Sequence, residues 1–289
     1  IGDYAFYGCS KLESITLPES ITSIGGYAFR SCSSLKSITV PEGITKIERN
    51  TFSFCAKLVS CIIPDGVINI NNEAFSSCVS LESIVIPKSV KSIGNSAFLH
   101  CDSLTSITIL NGLTDIGPSA FASCISLVYI ELPESVSSIG ESAFIYCSEL
   151  TSLTLPKQIT AINSSLFQGC SSLESISIPG NVTSIESSAF LNCDMLTSIT
   201  IPAKTTKIAN SAFSGCVSLA SIAINNQIAP NIDISSFGSS YANYAGYKSH
   251  SKGTNMLYVP VGATGYDTGC WLDPLQNPEK CGFTISYTL

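Results

Sequence analysis

The chain has 289 residues, of which only 12% are charged, and its formal net charge is −7. This acidic balance argues against nucleic acid and anionic membrane surfaces as partners, because both favour clustered Lys and Arg. No apolar run approaches the ~18 residues of a membrane-spanning helix, so the 45% of hydrophobic residues indicate a periodic core without direct membrane insertion.

A 23-residue repeat occupies about four fifths of the chain. Cysteine recurs at this interval from Cys9 to Cys216, with a phenylalanine three residues before each cysteine and a leucine three residues after it. A fixed period of this length is typical of a solenoid, in which each repeat is one coil stacked on near-copies of itself. We therefore predict ten coils, which begin at residues 1, 24, 47, 70, 93, 116, 139, 162, 185 and 208. Because Ile1 is already in phase with the repeat, we expect the sequence to be part of a longer protein.

Each coil begins with the pattern I-G-x-x-A-F-x-x-C. A polar residue such as Asn95 precedes A-F and is a plausible helix N-cap, so this segment predicts one to two helical turns. The ten repeated cysteines occupy equivalent sites about 4.8 Å apart, where parallel side chains point the wrong way for disulfide geometry. We interpret them as packed, free thiols whose S–H groups face neighbouring carbonyls. One cysteine per coil, with no histidine or carboxylate in phase, also disfavours a row of metal ions, and Cys61 replaces a core isoleucine.

The pattern L-x-S-I-x-[IL]-P follows, and its alternation predicts a short parallel strand. In coil 4, Leu81, Ile84 and Ile86 are expected to face the core, and Ser83 and Val85 to face outward. The proline ends the strand, and a second extended segment, V-x-x-I, leads into the next coil. Leu110 and Asn225 replace the proline in coils 5 and 10, which predicts a changed turn in coil 5 and the end of the array after coil 10.

The outward positions of the strands are mostly serine and threonine, and the exceptions cluster in three coils. They are Val59 and Ile62 in coil 3, Glu82 and Val85 in coil 4, and Val128, Tyr129 and Glu131 in coil 6. An exposed aromatic ring with apolar neighbours and nearby carboxylates is typical of a recognition patch, so these seven residues are the candidate partner-binding site. The alternative is that the repeat has drifted and that the β-branched residues only reinforce the sheet.

The period fails after Ile228, so we predict a solenoid over residues 1–228 and a capping segment over 229–289. Residues 235–254 are rich in Ser, Gly and Tyr, whereas Met256–Val261 and Phe283–Thr288 are predicted strands. An open solenoid needs its last apolar coil covered, which is the simplest role for this segment. Its aromatic residues could instead form a ligand site, and Cys270 and Cys281 could pair with each other.

The whole pattern, L-x-x-I-x-I-P-x-x-I-x-x-I-G-x-x-A-F-x-x-C, resembles the 23-residue leucine-rich repeats of BspA-like bacterial surface proteins. The segment L-Y-V-P-x-G, from Leu257 to Gly262, also resembles segments that close such arrays. The resemblance implies a curved leucine-rich-repeat solenoid with a parallel β-sheet on its concave side. It also implies an extracellular or cell-surface protein of anaerobic bacteria that adheres to host matrix proteins or to other cells.

The sequence offers no catalytic constellation. Neither His100 nor His250 has a partner at motif spacing, and no phosphate-binding loop, zinc-type cysteine pair or nucleophile elbow is present. We therefore expect a non-enzymatic protein without cofactor or metal, whose function is to bind a protein ligand at the cell surface. A carbohydrate-binding module that uses Tyr129, and a structural spacer for another domain, are the alternatives.

Overall fold

The computed structural model describes residues 1–233, 236, 256–260, 264 and 284–288. The chain forms two compact units, Ile1–Leu150 (unit 1) and Thr151–Leu289 (unit 2), and the boundary falls within the predicted coil 7. Each unit consists of short parallel strands stacked coil upon coil, which confirms the predicted leucine-rich-repeat solenoid. The predicted division at residue 228 between array and cap stays a prediction.

Unit 1 has two kinds of strand, which alternate along the chain. In chain order they are β1 (Ser37–Thr39), β2 (Lys46–Ile47), β3 (Ser60–Ile62), β4 (Asn69–Ile70), β5 (Ser83–Ile86), β6 (Ser92–Ile93), β7 (Ser106–Ile109), β8 (Asp115–Ile116), β9 (Tyr129–Glu131) and β10 (Ser138–Ile139). The odd-numbered strands come from the L-x-S-I stretch; β1 pairs with β3, and β7 lies between β5 and β9. The even-numbered strands form one five-stranded sheet. Pairs such as Ser37–Ser60 and Ser106–Tyr129 show that the register equals the 23-residue repeat.

Unit 2 continues the same pattern of strands. They are β11 (Ser152–Thr154), β12 (Ala161–Ile162), β13 (Ser175–Ser177), β14 (Ser184–Ile185), β15 (Ser198–Ile201), β16 (Lys207–Ile208), β17 (Ser221–Ile224), β18 (Asn231–Ile232), β19 (Met256–Pro260) and β20 (Thr284–Thr288). Strands β15, β17, β19 and β20 form one sheet, so the two strands predicted after the array extend it. Cys270, Cys281 and most of residues 235–254 lie outside the described residues.

Alternation along the odd-numbered strands separates core from surface, because successive side chains point to opposite faces of a sheet. In coil 4, Leu81, Ile84 and Ile86 are buried, whereas Ser83 and Val85 are exposed, as the pattern predicts. Cys61 is buried and pairs in register with Ile38, which confirms that it replaces a core isoleucine. The core of each coil is thus completed only by the coils above and below it.

The segment that carries A-F-x-x-C is a series of turns, not the predicted helical turns. The described residues contain no helix, and so none that could cross a membrane. In coil 5, Ser96 and His100 have positive φ angles of 53° and 57°, and an α-helix cannot continue through residues in this left-handed region. The N–H of Phe98 donates to Ala120 of the next coil at 2.8 Å, whereas the N–H of Leu99 donates within its own coil. Alternate residues therefore form a further ladder between coils.

Phenylalanine and cysteine form two buried columns beside these turns. Consecutive phenylalanine rings of unit 1, from Phe6 to Phe144, stack with centroids 5.0–5.7 Å apart. The thiols donate to carbonyls of the preceding coil, as Cys124 does to Phe98 O at 3.2 Å and Cys147 to Phe121 O at 3.1 Å. The 11 cysteines from Cys9 to Cys216 are free, and all but Cys9 are buried. The predicted packed thiols are therefore confirmed for nine of the ten repeated cysteines, whereas Cys9 in the first coil is exposed.

Candidate functional site

The seven candidate residues all lie in unit 1, on the outer side of the odd-numbered strands or directly before them. We call this surface the strand face. Backbone pairing sets the spacing of these residues. The N–H of Glu82 donates to Val59 O at 3.3 Å, so coils 3 and 4 are adjacent at this point. Tyr129 pairs with Ser106, which in turn pairs with Ser83, so coil 6 lies two coil steps, about 10 Å, from coil 4.

The structure divides the candidates into two groups. Val59, Ile62, Glu82 and Val85 belong to adjacent coils 3 and 4, whereas Val128, Tyr129 and Glu131 belong to coil 6. Coil 5 separates the groups with Thr105, Ser106 and Thr108, all of them exposed. The candidate site is therefore two apolar groups with a polar strip between them.

The apolar side chains of both groups are open to solvent. The exposed fractions are 63% for Ile62, 53% for Val85, 50% for Tyr129, 44% for Val128 and 39% for Val59. Apolar residues scattered singly over a surface are ordinary, but Ile62, Val85 and Tyr129 stand in rows that other coils fill mostly with serine and threonine, and they fall within four consecutive coils. The deviations from the repeat thus fall on the surface, where they do not contribute to the core.

The carboxylates of the strand face differ in their pairing. The Lys36 ammonium contacts Glu13 at 2.8 Å, and this hydrogen bond lowers the pKa of the Glu13 carboxyl. Glu82 stands in the same row of side chains, yet within the described residues neither Glu82 nor Glu131 forms an ion pair. The patch therefore combines apolar surface with two carboxylates that are available to a cationic partner group.

Ile125 is an exposed apolar residue of coil 6 that the sequence reasoning missed. It is 44% exposed and precedes Val128 by three residues. Its equivalents in the first five coils are Ser10, Ser33, Ala56, Val79 and Asp102, so the same comparison with other coils would have found it. Ile125 therefore adds exposed apolar surface to coil 6, in the turn that precedes β9.

The cysteine column offers no reactive thiol at this site. Burial raises the pKa of the Cys32 thiol to about 11 and that of Cys147 to about 12, and it also raises the pKa values of Cys101 and Cys124 well above the ordinary value. A thiol reacts as a thiolate, so these groups stay protonated and unreactive at neutral pH. Among the described residues, no three His, Cys, Asp or Glu side chains are grouped so as to hold a metal ion.

Comparisons with known proteins agree with this architecture. A leucine-rich repeat protein of Bacteroides ovatus is 34% identical, with a TM-score of 0.71 over 83% of this chain; the match covers 59% of that protein. A leucine rich cell surface protein of Faecalibacterium prausnitzii is 24% identical, with a TM-score of 0.54 over 100% of this chain and 83% of its own, which supports the fold alone. No curated protein matches the sequence.

The family model of the BspA type leucine rich repeat region matches in six copies, over residues 1–128 and 114–243. These matches span most of the chain, including both groups of the candidate site. They agree with the stacked coils and with the cysteine and phenylalanine columns. The chain therefore belongs to the BspA-type leucine-rich repeat family.

Proposed function

We propose that this chain is a protein-binding module of a bacterial cell-surface protein, and that it attaches to host matrix or cell-surface proteins through the strand face of unit 1. It acts by binding and not by catalysis. The observation that carries the proposal is the exposure of Ile62, Val85 and Tyr129 on strands whose equivalent outward positions in other coils are mostly serine and threonine. Such side chains gain from contact with a partner because water leaves their apolar surface.

Family and fold add support for a binding role. Stacked repeats create an extended surface on which individual side chains can vary without loss of the core. A repeat protein of this kind is suited to protein interaction, and one structural relative is named a cell surface protein. Placement of this chain at a cell surface is part of the proposal, and antibody labelling of intact bacteria tests it.

The chemistry of the patch suggests what it binds. Tyr129 offers a rigid ring with a polar hydroxyl, Ile62 and Val85 offer aliphatic surface, and Glu82 and Glu131 offer unpaired carboxylates. Aromatic anchors with nearby polar groups are typical of protein interfaces. We therefore propose a partner segment that presents apolar side chains together with Lys or Arg.

A binding screen tests this function against its alternatives. The purified chain is measured by biolayer interferometry against immobilised matrix proteins, such as collagen and laminin, and against a panel of glycans. We expect saturable binding to at least one protein and weaker binding as salt concentration rises, because the two carboxylates contribute. Binding to glycans alone would favour a carbohydrate-binding module, and no binding to either panel would favour a spacer; each result contradicts the proposal.

A further inference from the structure

The only two arginines of the chain, Arg30 and Arg49, lie together on the turn segments of coils 2 and 3. Both contact the ring of Tyr27, the Arg30 guanidinium carbon at 5.7 Å from the ring centroid and that of Arg49 at 5.2 Å. The Arg30 guanidinium also lies 4.8 Å from the ring centroid of Phe54. We call these four residues the arginine cluster. It stands on the turn segments of unit 1, whereas the candidate patch stands on the strands.

The two aromatic residues occupy backbone positions that do not favour them. Tyr27 and Phe54 have φ angles of 60° and 61°, in the left-handed region that glycine, asparagine and aspartate tolerate best. Equivalent positions in other coils are mostly small or polar, such as Gly8, Ser31 and Asn50, with tyrosine at Tyr4 and Tyr146. The Phe54 side chain is 45% exposed, so its ring contributes little to the core. A bulky residue at a strained, exposed position indicates a role outside folding.

One arginine is held in place while the other is free to bind. Arg30 donates hydrogen bonds to Asn50 Oδ1 and, at 3.4 Å, to Ser53 Oγ, and Asn50 is buried. The exposed Arg49 side chain lies across Gly26, where an added Cβ would approach Arg49 Cγ to 3.3 Å. Within the described residues, the Arg49 guanidinium makes no hydrogen bond or ion pair. Its donor groups therefore remain available to a planar acceptor.

The nearby carboxylates are already engaged. Asp3 Oδ1 accepts the N–H of Gly26 at 2.8 Å, and Glu48 Oε2 accepts from Asn71 Nδ2 at 2.9 Å. Among residues 1–233, neither carboxylate forms an ion pair with Arg30 or Arg49. The exposed rings of Tyr4 and Tyr7 extend the aromatic surface, since Tyr4 stacks on Tyr27 with centroids 4.7 Å apart.

We propose that the arginine cluster is a second protein-binding surface, which holds a partner segment that carries a carboxylate beside an apolar side chain. The partner carboxylate accepts a bidentate hydrogen bond from Arg49, and the apolar side chain packs on Tyr27 and Phe54. Tyr and Arg, with Trp, are enriched among strong interface contacts, and the contacts of Arg30 with the rings of Tyr27 and Phe54 help to keep the surface ordered. The acidic chain disfavours a highly sulfated polysaccharide as the occupant.

Selection from a phage-displayed peptide library on the immobilised chain tests this proposal. We expect enriched peptides to place Asp or Glu next to an aromatic or aliphatic residue. Synthetic copies of these peptides should bind Arg49→Gln at least tenfold more weakly than the unchanged chain. Arg30→Lys keeps the charge but loses the planar fork, and it should also weaken binding. Circular dichroism and thermal unfolding check that each variant is folded.

Two controls separate this surface from other effects. The double substitution Lys46→Ala and Lys57→Ala removes two positive charges, as the loss of both arginines would. Both lysines are exposed, in coils 2 and 3, and the variant should bind the peptides with unchanged affinity. Ile62→Thr with Tyr129→Ser alters only the strand face and should also leave it unchanged.

Several outcomes would overturn the proposal. One is that the selection enriches no peptides, or only peptides without acidic residues. Another is that the peptides bind Arg49→Gln as tightly as the unchanged chain. A third is that only the strand-face variant loses affinity for the peptides. Arginine-dependent binding of a heparin oligosaccharide without any peptide binding would replace the protein partner by a polyanion. Loss of affinity in the strand-face variant alone would place the selected peptides on the strand face. The other outcomes do not bear on the strand-face function, which has its own variants.

Discussion

At the scale of single residues, Phe121 illustrates how one position per coil holds the stack together. Its side chain is fully buried, and its ring stacks between Phe98 and Phe144 with centroid distances of 5.4 and 5.5 Å. The coils on either side are fixed by backbone ladders and cannot collapse into a void. The stability of unit 1 therefore depends on each ring in the column.

Replacement of Phe121 by alanine is expected to lower the free energy of unfolding by about 3–5 kcal/mol, because it removes buried apolar surface and leaves a cavity. Urea denaturation followed by circular dichroism measures this change. Ile68→Ala serves as the control, because Ile68 is 45% exposed, and it should cost less than about 1 kcal/mol. Equal losses in the two variants would contradict the account of the core.

The cysteine column makes stability depend on pH in the alkaline range. Burial raises the pKa of Cys32 to about 11 and of Cys147 to about 12, whereas an unfolded thiol titrates near 9. Above pH 9 the unfolded chain therefore binds fewer protons than the folded chain, and stability falls as pH rises. We expect a lower free energy of unfolding at pH 10 than at pH 8. Cys147→Ala should reduce the difference, and no loss of stability between the two pH values would contradict the burial of neutral thiols.

Residue roles in the core could be predicted from the sequence, because a repeat places each residue type in one environment ten times. The burial of Leu81 and the exposure of Val85 follow from alternation alone. The arginine cluster could not be predicted, because its residues come from two coils and meet only through the left-handed turns. The one sequence feature that could have drawn attention to the arginine cluster is that the chain has only two arginines.

At the scale of elements, the prediction of helical turns in the segment that carries A-F-x-x-C was wrong. Asn95 and the A-F pattern favour a helix N-terminus locally, but the neighbouring coils supply carbonyl acceptors for alternate N–H groups. Pairing between coils therefore overrides the local helical tendency. This pairing requires left-handed backbone at the fourth and eighth residues of each coil. Gly8, Gly169 and Gly215 occupy the eighth position of their coils, and these glycines were the sequence feature that indicated left-handed backbone there.

In coil 5, where Leu110 replaces the proline, the backbone forms a hydrogen bond that proline could not make. The N–H of Leu110 donates to Ile86 O at 3.0 Å, and proline would lack this donor. Gly112, two residues later, has a φ of 142°. The altered turn predicted for coil 5 is thus accompanied by an additional hydrogen bond between coils.

Substitutions at a left-handed position test the turn geometry. Glu73 is exposed and has a φ of 56°, so Glu73→Gly should leave stability equal or raise it by up to about 1 kcal/mol, whereas Glu73→Val should lower it by more than about 1 kcal/mol. Thermal and urea unfolding measure both variants. Glu82→Val, the same change at an exposed residue directly before β5, should have little effect because valine favours extended backbone. A stable Glu73→Val variant would refute the left-handed turn.

At the scale of the whole molecule, the repeat separates what maintains the fold from what can specify a partner. The inward positions of the coils are nearly constant, while the strand face of unit 1 departs from serine and threonine at Ile62, Val85 and Tyr129. The sequence could locate these departures because the register equals the repeat. That coil 5 divides them into two groups also follows from the sequence, because the departures fall in coils 3, 4 and 6. The sequence could not give the exposed fraction of each side chain, which depends on how it packs.

The most direct test restores the repeat at the strand face. Ile62→Thr, Val85→Thr and Tyr129→Ser together give these positions the residues that most other coils carry, so the variant should keep its fold. Ala223→Thr, which makes the same kind of change in unit 2, is the matched control. The dissociation constant is measured against the matrix protein bound most tightly in the screen. We predict at least tenfold weaker binding for the triple variant and no change for the control; an unchanged dissociation constant for a folded triple variant would contradict the strand face as the binding surface.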